Sequence, residues 1–533
     1  MQYKVLLTTS GIGSRLGDIT KYTNKSLVTI GNKPTLAHIV ERYPENIEFV
    51  VTLGYYGSHV KQFLQMAYPD RNFTFVEIGN YDGEGSSLAW SQLCAKEELQ
   101  CPFIYNACDT IVTEDIPEPS YDWIGGKEGT GSSQYDSFTL GVDGSLHKMY
   151  QKGWIESSHI YIGLIGINDY EAYWNELERI YNDDWKNGSL NDFRAIKSLK
   201  NKGHKFGVNA FSSWYDIGNV EALREARERW PSSFHVLEKL EESISVVNDK
   251  VIKFFSNSEI ATNRWKRAQS LGDLVPSLAT SSDNFYSYYF AEGKLASNFI
   301  NPHTMSGLIE WACENLWEPV NVKDTTFQNA TWKFYHDKTS QRVQKFLEGR
   351  SWGSKDKHQI INGTTVSNIH YLLEKIPWDY LCETKPSQFH GDFILDNIII
   401  NDNEDGFTLL DWRQDFGGLV DAGDIYYDLA KMNHNLTVNH EIINRDLFTI
   451  KTSGNKVTVD ILRKDNLVKC EHAFRQKVKE MGYDLNKVDL LTGVVWVNMA
   501  PLHHYPFNEF LFHYGKLKIT EVLNRPEISR KIK

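Results

Sequence analysis

Apolar residues early in the chain come in short continuous runs, at 3–8, 48–54, 73–78 and 102–112, separated by polar and glycine-bearing segments. Runs of this length without polar alternation read as strands buried on both faces. Between them the spacing changes to a helical one. Leu36, Ile39, Val40 and Tyr43 share a face after Pro34, a residue suited to a first helical turn. Strands alternating with helices predict a parallel sheet covered on both sides, with ligands at the carboxyl ends of its strands. The run 219–230 reads as a helix, and Pro231-Ser232-Ser233 breaks the pattern.

The pattern then differs. Residues 244–255 (ISVVNDKVIKFF) form two β-rich runs about Asn248-Asp249, the signature of a hairpin. A helical segment is expected from Ser258, and an apolar strand runs through Tyr288, Tyr289 and Phe290. Beyond it helical spacing dominates, at 306–317, at 364–376 and after Asp428. One exception is 400–410 (INDNEDGFTLL), which reads as strand, turn, strand. Trp496 to Tyr505 is aromatic enough to wall a site or to fill a core.

At 533 residues the chain exceeds one ordinary core, so at least two domains are expected. With 41% apolar and 24% charged residues it has the composition of a globular protein. The net charge of -12 argues against a nucleic-acid partner. No stretch approaches the roughly 18 apolar residues of a membrane span. The opening run is too short for a secretory signal, and the six cysteines show no metal spacing. A cytoplasmic protein is the expectation, and oligomeric state is left open.

Two stretches carry chemistry. The first strand runs into Ser10-Gly11-Ile12-Gly13-Ser14-Arg15. Glycines there let backbone N–H groups face a phosphate, with Arg15 beside them. In the second stretch, His390-Gly391-Asp392 is followed by Asn397 and, across the hairpin, by Asp411. Phosphoryl transfer needs a base beside two oxygen ligands for Mg²⁺, so Asp392 is the candidate base and Asn397 and Asp411 the candidate metal ligands.

The first 230 residues resemble the sugar-nucleotidyltransferase family, whose GxGxRL…K signature matches Gly11, Gly13, Arg15, Leu16 and Lys25. The resemblance implies catalytic roles for Arg15 and Lys25 and metal binding by Asp109 (NACDTIV) and Asp216 (WYDIGN). Lys152 in YQKGW is the match to a further family lysine. The glycine loop, with Ser10 and Ser14, would bind the nucleotide. Gly85 and Ser86 would contact its base or ribose, or form a simple turn before the next helix. The family's usual Ala-Ala-Gly is replaced by TTSGIGSR. Two carboxylates holding Mg²⁺, with two cations at the phosphates, suit attack on an α-phosphorus that expels pyrophosphate.

HGDFILDN followed by LLDW is similar to the paired motifs of the aminoglycoside phosphotransferase and choline kinase superfamily, relatives of the protein kinases. In that family Asp424 and Asp428 match a structural acidic motif. Lys253 matches the strand lysine that holds nucleotide phosphates, Glu259 is the nearest carboxylate to support it, and Glu292 ends the hinge that passes the adenine. No glycine-rich loop precedes Lys253.

The fold class implied is α/β: a Rossmann-like nucleotidyltransferase domain over 1–232, then a two-lobed kinase-like domain with small lobe 233–300 and large lobe 301–533. The function implied is bifunctional. ATP would phosphorylate a small alcohol or amino alcohol, and a nucleoside triphosphate, CTP favoured, would then convert that phosphate to an activated donor for surface-glycan or lipid decoration. Mg²⁺ would serve both steps. The alternatives are an anomeric sugar kinase fused to a uridylyl- or guanylyltransferase, and a regulatory protein with one inactive half.

Overall fold

The structure is a computed structural model of the 533-residue chain, and it describes residues 2–232, 239–349, 356–402 and 406–532. The break expected at Ser233 and the turn residues 403–405 lie outside the described residues. The chain divides into two compact units, one of residues 1–261 with 279–289 and one of 262–278 with 290–533.

The first unit is built on a mixed sheet. Strand Lys4–Thr8 lies between Glu48–Leu53 and Phe103–Ala107, parallel to both, and Phe73–Glu77 continues the parallel order outward. Val5, Leu6 and Leu7 have no exposed surface, as a strand covered on both faces requires. The expected all-parallel sheet is not what forms on the other flank. There His159–Ile167 runs antiparallel to Phe103–Ala107, and the Ser137–Leu140 and Leu146–Tyr150 hairpin joins the same sheet. Among the described residues no helix lies between Phe103–Ala107 and His159–Ile167, and without a crossover helix a returning strand pairs antiparallel.

The run 102–112 is likewise not one strand. It is Phe103–Ala107 and Thr110–Val112, broken at Cys108-Asp109, and the second piece leaves the main sheet to pair with Trp214–Asp216.

Helix Thr35–Val40 starts after Pro34 as expected, and Asn219 caps Val220–Arg229 by accepting from the backbone of Glu221 and Ala222. The hairpin of Glu242–Val247 and Lys250–Phe255 forms with Asn248 at φ 57° in its turn, and pairs onward with Phe285–Tyr289. These strands share the apolar core of the first unit. Phe254 and Phe285 pack edge-on against His59 of helix Gly57–Ala67, and Gln62 of that helix accepts from Ser282 and Asn284 at 2.9 Å each.

The second unit is mainly helical. Helices Ile425–Thr437, Leu485–Met499 and Phe507–Leu523 bury Ala430, Leu491, Trp496 and Phe512 in one core, so Trp496 is a core residue. One feature runs against the helical reading after Asp428. A small sheet forms from Phe448–Ser453, Lys456–Ile461, Gln359–Ile361 and Thr364–Val366. Its strands alternate about a short Gly454 turn, a period-2 signal that the surrounding helical spacing obscures.

Candidate functional site

Strand Lys4–Thr8 ends at the loop 9–15, and Phe103–Ala107 beside it ends at Cys108-Asp109. Both carboxyl ends open on one cavity of about 550 Å³, lined by the Ser10–Arg15 loop, Lys25, Ser86, Asp109, Lys152 and Asp216 among others. Gly13 takes φ 72°, and a Cβ there would stand 2.9 Å from Lys25 Cβ, so the loop needs glycine at this position. Gly85, next to Ser86, is buried, and its carbonyl accepts from Tyr181 at 3.0 Å.

Pairing of Asp216 with Thr110, and a hydrogen bond from Ile217 N to Asp109 O at 3.0 Å, bring two distant acids together. A Cβ on Gly218 would lie 3.1 Å from Asp216 Oδ1, 3.3 Å from Asp109 Oδ2 and 3.0 Å from Arg15 Nη2. Asp109, Asp216 and Arg15 therefore surround a space that one side chain would fill. Lys25 Nζ reaches Asp109 Oδ2 at 3.0 Å. Burial would raise Asp109, but Lys25 and Arg15 outweigh it and hold this carboxyl below the usual range. Asp216 moves the other way, raised by burial and by the charge of Asp109. Two carboxylates so opposed suit a cation between them. Mg²⁺ commonly takes one or two protein carboxylates, with phosphates and water completing its shell. Among the described residues no group of three or more acidic, His or Cys side chains is placed to hold a metal ion.

Residues the motifs did not reveal also line the cavity. Tyr135 donates to Asp216 Oδ2 at 2.6 Å. Asp192 opens helix Asp192–Asn201, accepts from Tyr161, and is pushed up to about 6 by burial. Asp136 accepts from the Lys152 backbone at 3.1 Å, while the Lys152 side chain is exposed. No motif spacing links these positions; only the sheet gathers them.

No protein-family model matches the chain. The low-salt glycan biosynthesis nucleotidyltransferase Agl11 of Haloferax volcanii is 27% identical over 240 residues, 42% of this chain and 65% of that protein. The bifunctional protein GlmU of Methanococcus maripaludis is 23% identical over 261 residues, 46% of this chain and 60% of that protein. The N-terminal part of the chain is similar in sequence to nucleotidyltransferases. The chain thus spans under two thirds of the length of these relatives. Among solved structures, the CTP:phosphocholine cytidylyltransferase of Streptococcus pneumoniae is 17% identical, with a TM-score of 0.36 over 43% of this chain and 99% of that one. The first unit holds the whole cavity just described.

The second candidate cluster lies in the second unit. Strands Ile398–Ile400 and Phe407–Leu409 pair antiparallel, and Leu410 N donates to Asn397 O at 2.8 Å, so Asn397 and Asp411 leave the hairpin at the same end. Asn397 Nδ2 donates to Asp392 O at 3.0 Å and Oδ2 at 3.3 Å. Asp411 takes φ 54° and its carboxylate pairs with Arg264. Lys431 Nζ sits 2.7 Å from Asp392 Oδ1. Burial would raise Asp392, but this ammonium dominates and holds it at about 2.

Support comes from behind. Asp428 accepts from His390 N and Gly391 N at 2.7 Å each and from Trp317 Nε1 at 3.1 Å, which fixes the loop that carries Asp392. Asp424 caps helix Ile425–Thr437 and accepts from Tyr335 and Thr384 at 2.6 Å. His390 accepts from Asp392 N through Nδ1, which leaves Nε2 to donate to Leu410 O.

The remaining expected residues are placed as follows. Lys253 is buried in Lys250–Phe255, whereas Glu259 is exposed on the first turn of Ser258–Leu271. Glu292 is exposed before Lys294–Leu295, and Gly293 lets that strand approach Ile399, since a Cβ there would come within 2.5 Å.

Proposed function

We propose that the first unit transfers a nucleotidyl group from a nucleoside triphosphate to a phosphorylated metabolite, releasing pyrophosphate. The observation that carries this reading is the convergence of Asp109, Asp216 and Arg15 about Gly218, with Lys25 on Asp109, at the carboxyl ends of parallel strands. The acceptor phosphate is already an anion, so no base is needed. Its oxygen bonds to the α-phosphorus, and the bond to the β-phosphate oxygen breaks with its electrons leaving on pyrophosphate. Arg15 and Lys25 neutralise phosphate oxygens as charge develops, and Asp109 and Asp216 hold the metal. Bound there, magnesium supplies charge neutralisation at the triphosphate.

For the second unit the reading is a small-molecule kinase that supplies that phosphate. Asp392 takes the proton of an acceptor hydroxyl as its oxygen bonds to the γ-phosphorus of ATP and ADP departs. Asn397 and Asp411 would hold metal on the nucleotide, and Asp428 fixes the loop. Domain limits of 1–232, 233–300 and 301–533 go with this division of labour, as do contacts of Ser10, Ser14, Gly85 and Ser86 with one nucleotide and of Glu292 with the other. A sugar phosphate as acceptor is the second reading for the first unit, favoured by a relative named for glycan biosynthesis.

The test is a two-stage screen of the full chain. ATP is offered with a panel of alcohols and sugars, then each phosphate with CTP first and UTP, GTP and ATP after it. Asp392→Asn should stop ADP formation alone, and Asp109→Asn pyrophosphate release alone. One change that stops both while the fold is intact overturns the two-site reading.

A further inference from the structure

Next to the Asp392 loop the second unit gathers four cations against two carboxylates. Lys338 and Arg342 are one turn apart on helix Lys338–Glu348 and so share a face. Lys338 Nζ lies 3.8 Å above the ring of Phe334 and 5.9 Å from that of Tyr427. Arg413 stacks on Phe334 too, its guanidinium carbon 5.0 Å from the ring centre. Tyr427 leads one helical turn on to Lys431, which grips Asp392. Arg413 is itself bound to the Asp392 loop. Its N donates to His390 O at 3.0 Å, and a Cβ on Gly391 would stand 2.5 Å from Arg413 Cβ.

The carboxylates present are already committed. Asp392 is taken by Lys431, and Asp415 accepts from Gly418 N at 2.9 Å. Arg413 donates to the Asp415 carbonyl and Arg342 to the Asn498 carbonyl, so among the described residues neither guanidinium has a carboxylate partner. Lys338 has no hydrogen bond or ion pair among the described residues, only aromatic faces. Three cations held this close repel one another and are costly to desolvate, and an anion among them would relieve both terms. The Lys338 ammonium is depressed well below its ordinary value by burial and by Arg413 and Arg342, as expected of a cluster short of a counter-charge.

We propose that Lys338, Arg342 and Arg413 form an anion seat beside Asp392, and that the hydroxyl compound phosphorylated there carries a carboxylate or a phosphate. This rests on the kinase reading of the second unit and turns it away from an amino alcohol, whose ammonium the three cations would repel. Arginine suits either anion through paired N–H donors, and lysine adds a point charge.

The experiment has two arms, both on the full chain. In the first, ADP release is followed with acceptors of matched skeleton: glycerol, glycerate, glycerol phosphate and ethanolamine, then larger polyols with their acids, phosphates and amines. At least a tenfold higher kcat/KM is expected for one anionic member over its neutral and amine partners, and the carboxylate and phosphate series tell the two anions apart. Equal or better use of neutral or amine members overturns the proposal.

In the second arm, malonate and inorganic phosphate are titrated by calorimetry against wild type, Lys338→Met and Lys338→Arg. Wild type should bind one of them at a site that Lys338→Met weakens at least tenfold and Lys338→Arg keeps, which separates charge from packing. Identical titrations of all three proteins overturn the seat whatever the kinase assay shows. Binding lost in Lys338→Met, with no acceptor of any charge phosphorylated, overturns the kinase reading and leaves the seat standing.

Discussion

The Lys431 ammonium and the Asp392 carboxylate stand 2.7 Å apart, joining helix Ile425–Thr437 to the loop that Asp428 holds by two backbone N–H groups. Asp392 is thereby kept ionised at about 2 despite burial and the nearby charge of Asp411. Lys431→Met removes that ammonium while Asp411 and burial remain. The acid limb of the phosphoryl-transfer pH profile should move upward by at least two pH units, into the range above pH 4, with the plateau rate also reduced. A profile between pH 4 and 8 that superimposes on wild type would remove Lys431 from this role.

Tyr135 bears on the other site in the same way. Its hydroxyl donates to Asp216 Oδ2 at 2.6 Å, a bond that favours the ionised carboxylate against burial and Asp109. Tyr135→Phe should raise the Mg²⁺ concentration needed for half-maximal pyrophosphate release, by roughly tenfold for the loss of one charge-assisted hydrogen bond. Magnesium titration of the two proteins reads this directly.

Asp192 predicts a pH-dependent stability. Its folded value of about 6 lies above an unfolded value of roughly 3.9, because burial penalises the charged form. The native state therefore holds its proton more tightly, so the stabilisation is fully present below about pH 4 and is lost as pH rises through 6. Integrated, the effect is on the order of 2 to 3 kcal/mol. Asp192→Asn cannot titrate, so the Tm of wild type minus that of the variant should fall as pH rises from 4.5 to 8. A gap constant over that range would count against it.

Gly13→Ala tests the phosphate loop. At φ 72° a Cβ meets Lys25 Cβ at 2.9 Å, and the left-handed backbone adds about 1 kcal/mol or more of strain. Displacement of Lys25 should lower pyrophosphate release at least tenfold. ADP formation is the control, expected within twofold of wild type.

Both candidate sites were legible in part because local chemistry marks them. A glycine loop with Arg15 directly after a buried strand, and an HGD followed by Asn397, are patterns with few other uses. Lys431, Tyr135, Asp192 and Lys338 were not legible. Each sits on an ordinary helix or loop, tens of residues or more from the group it serves. The antiparallel flank escaped because strand direction is set by the connection and not by apolar spacing, and the small sheet of Phe448–Ser453 because helical spacing surrounds it.

Local order along the chain was enough to place the buried strands, the helix starts at Pro34 and Asn219, and the hairpin about Asn248. Tertiary structure alone decided that Asp216 meets Asp109, that strands 242–289 share the core of the first unit, and that Lys431 holds Asp392 while Lys338, Arg342 and Arg413 have no carboxylate partner among the described residues. The physical reason is range. Propensity and periodicity act over one or two turns, whereas the charge around a buried group is set by whatever the packed chain brings within a few ångströms.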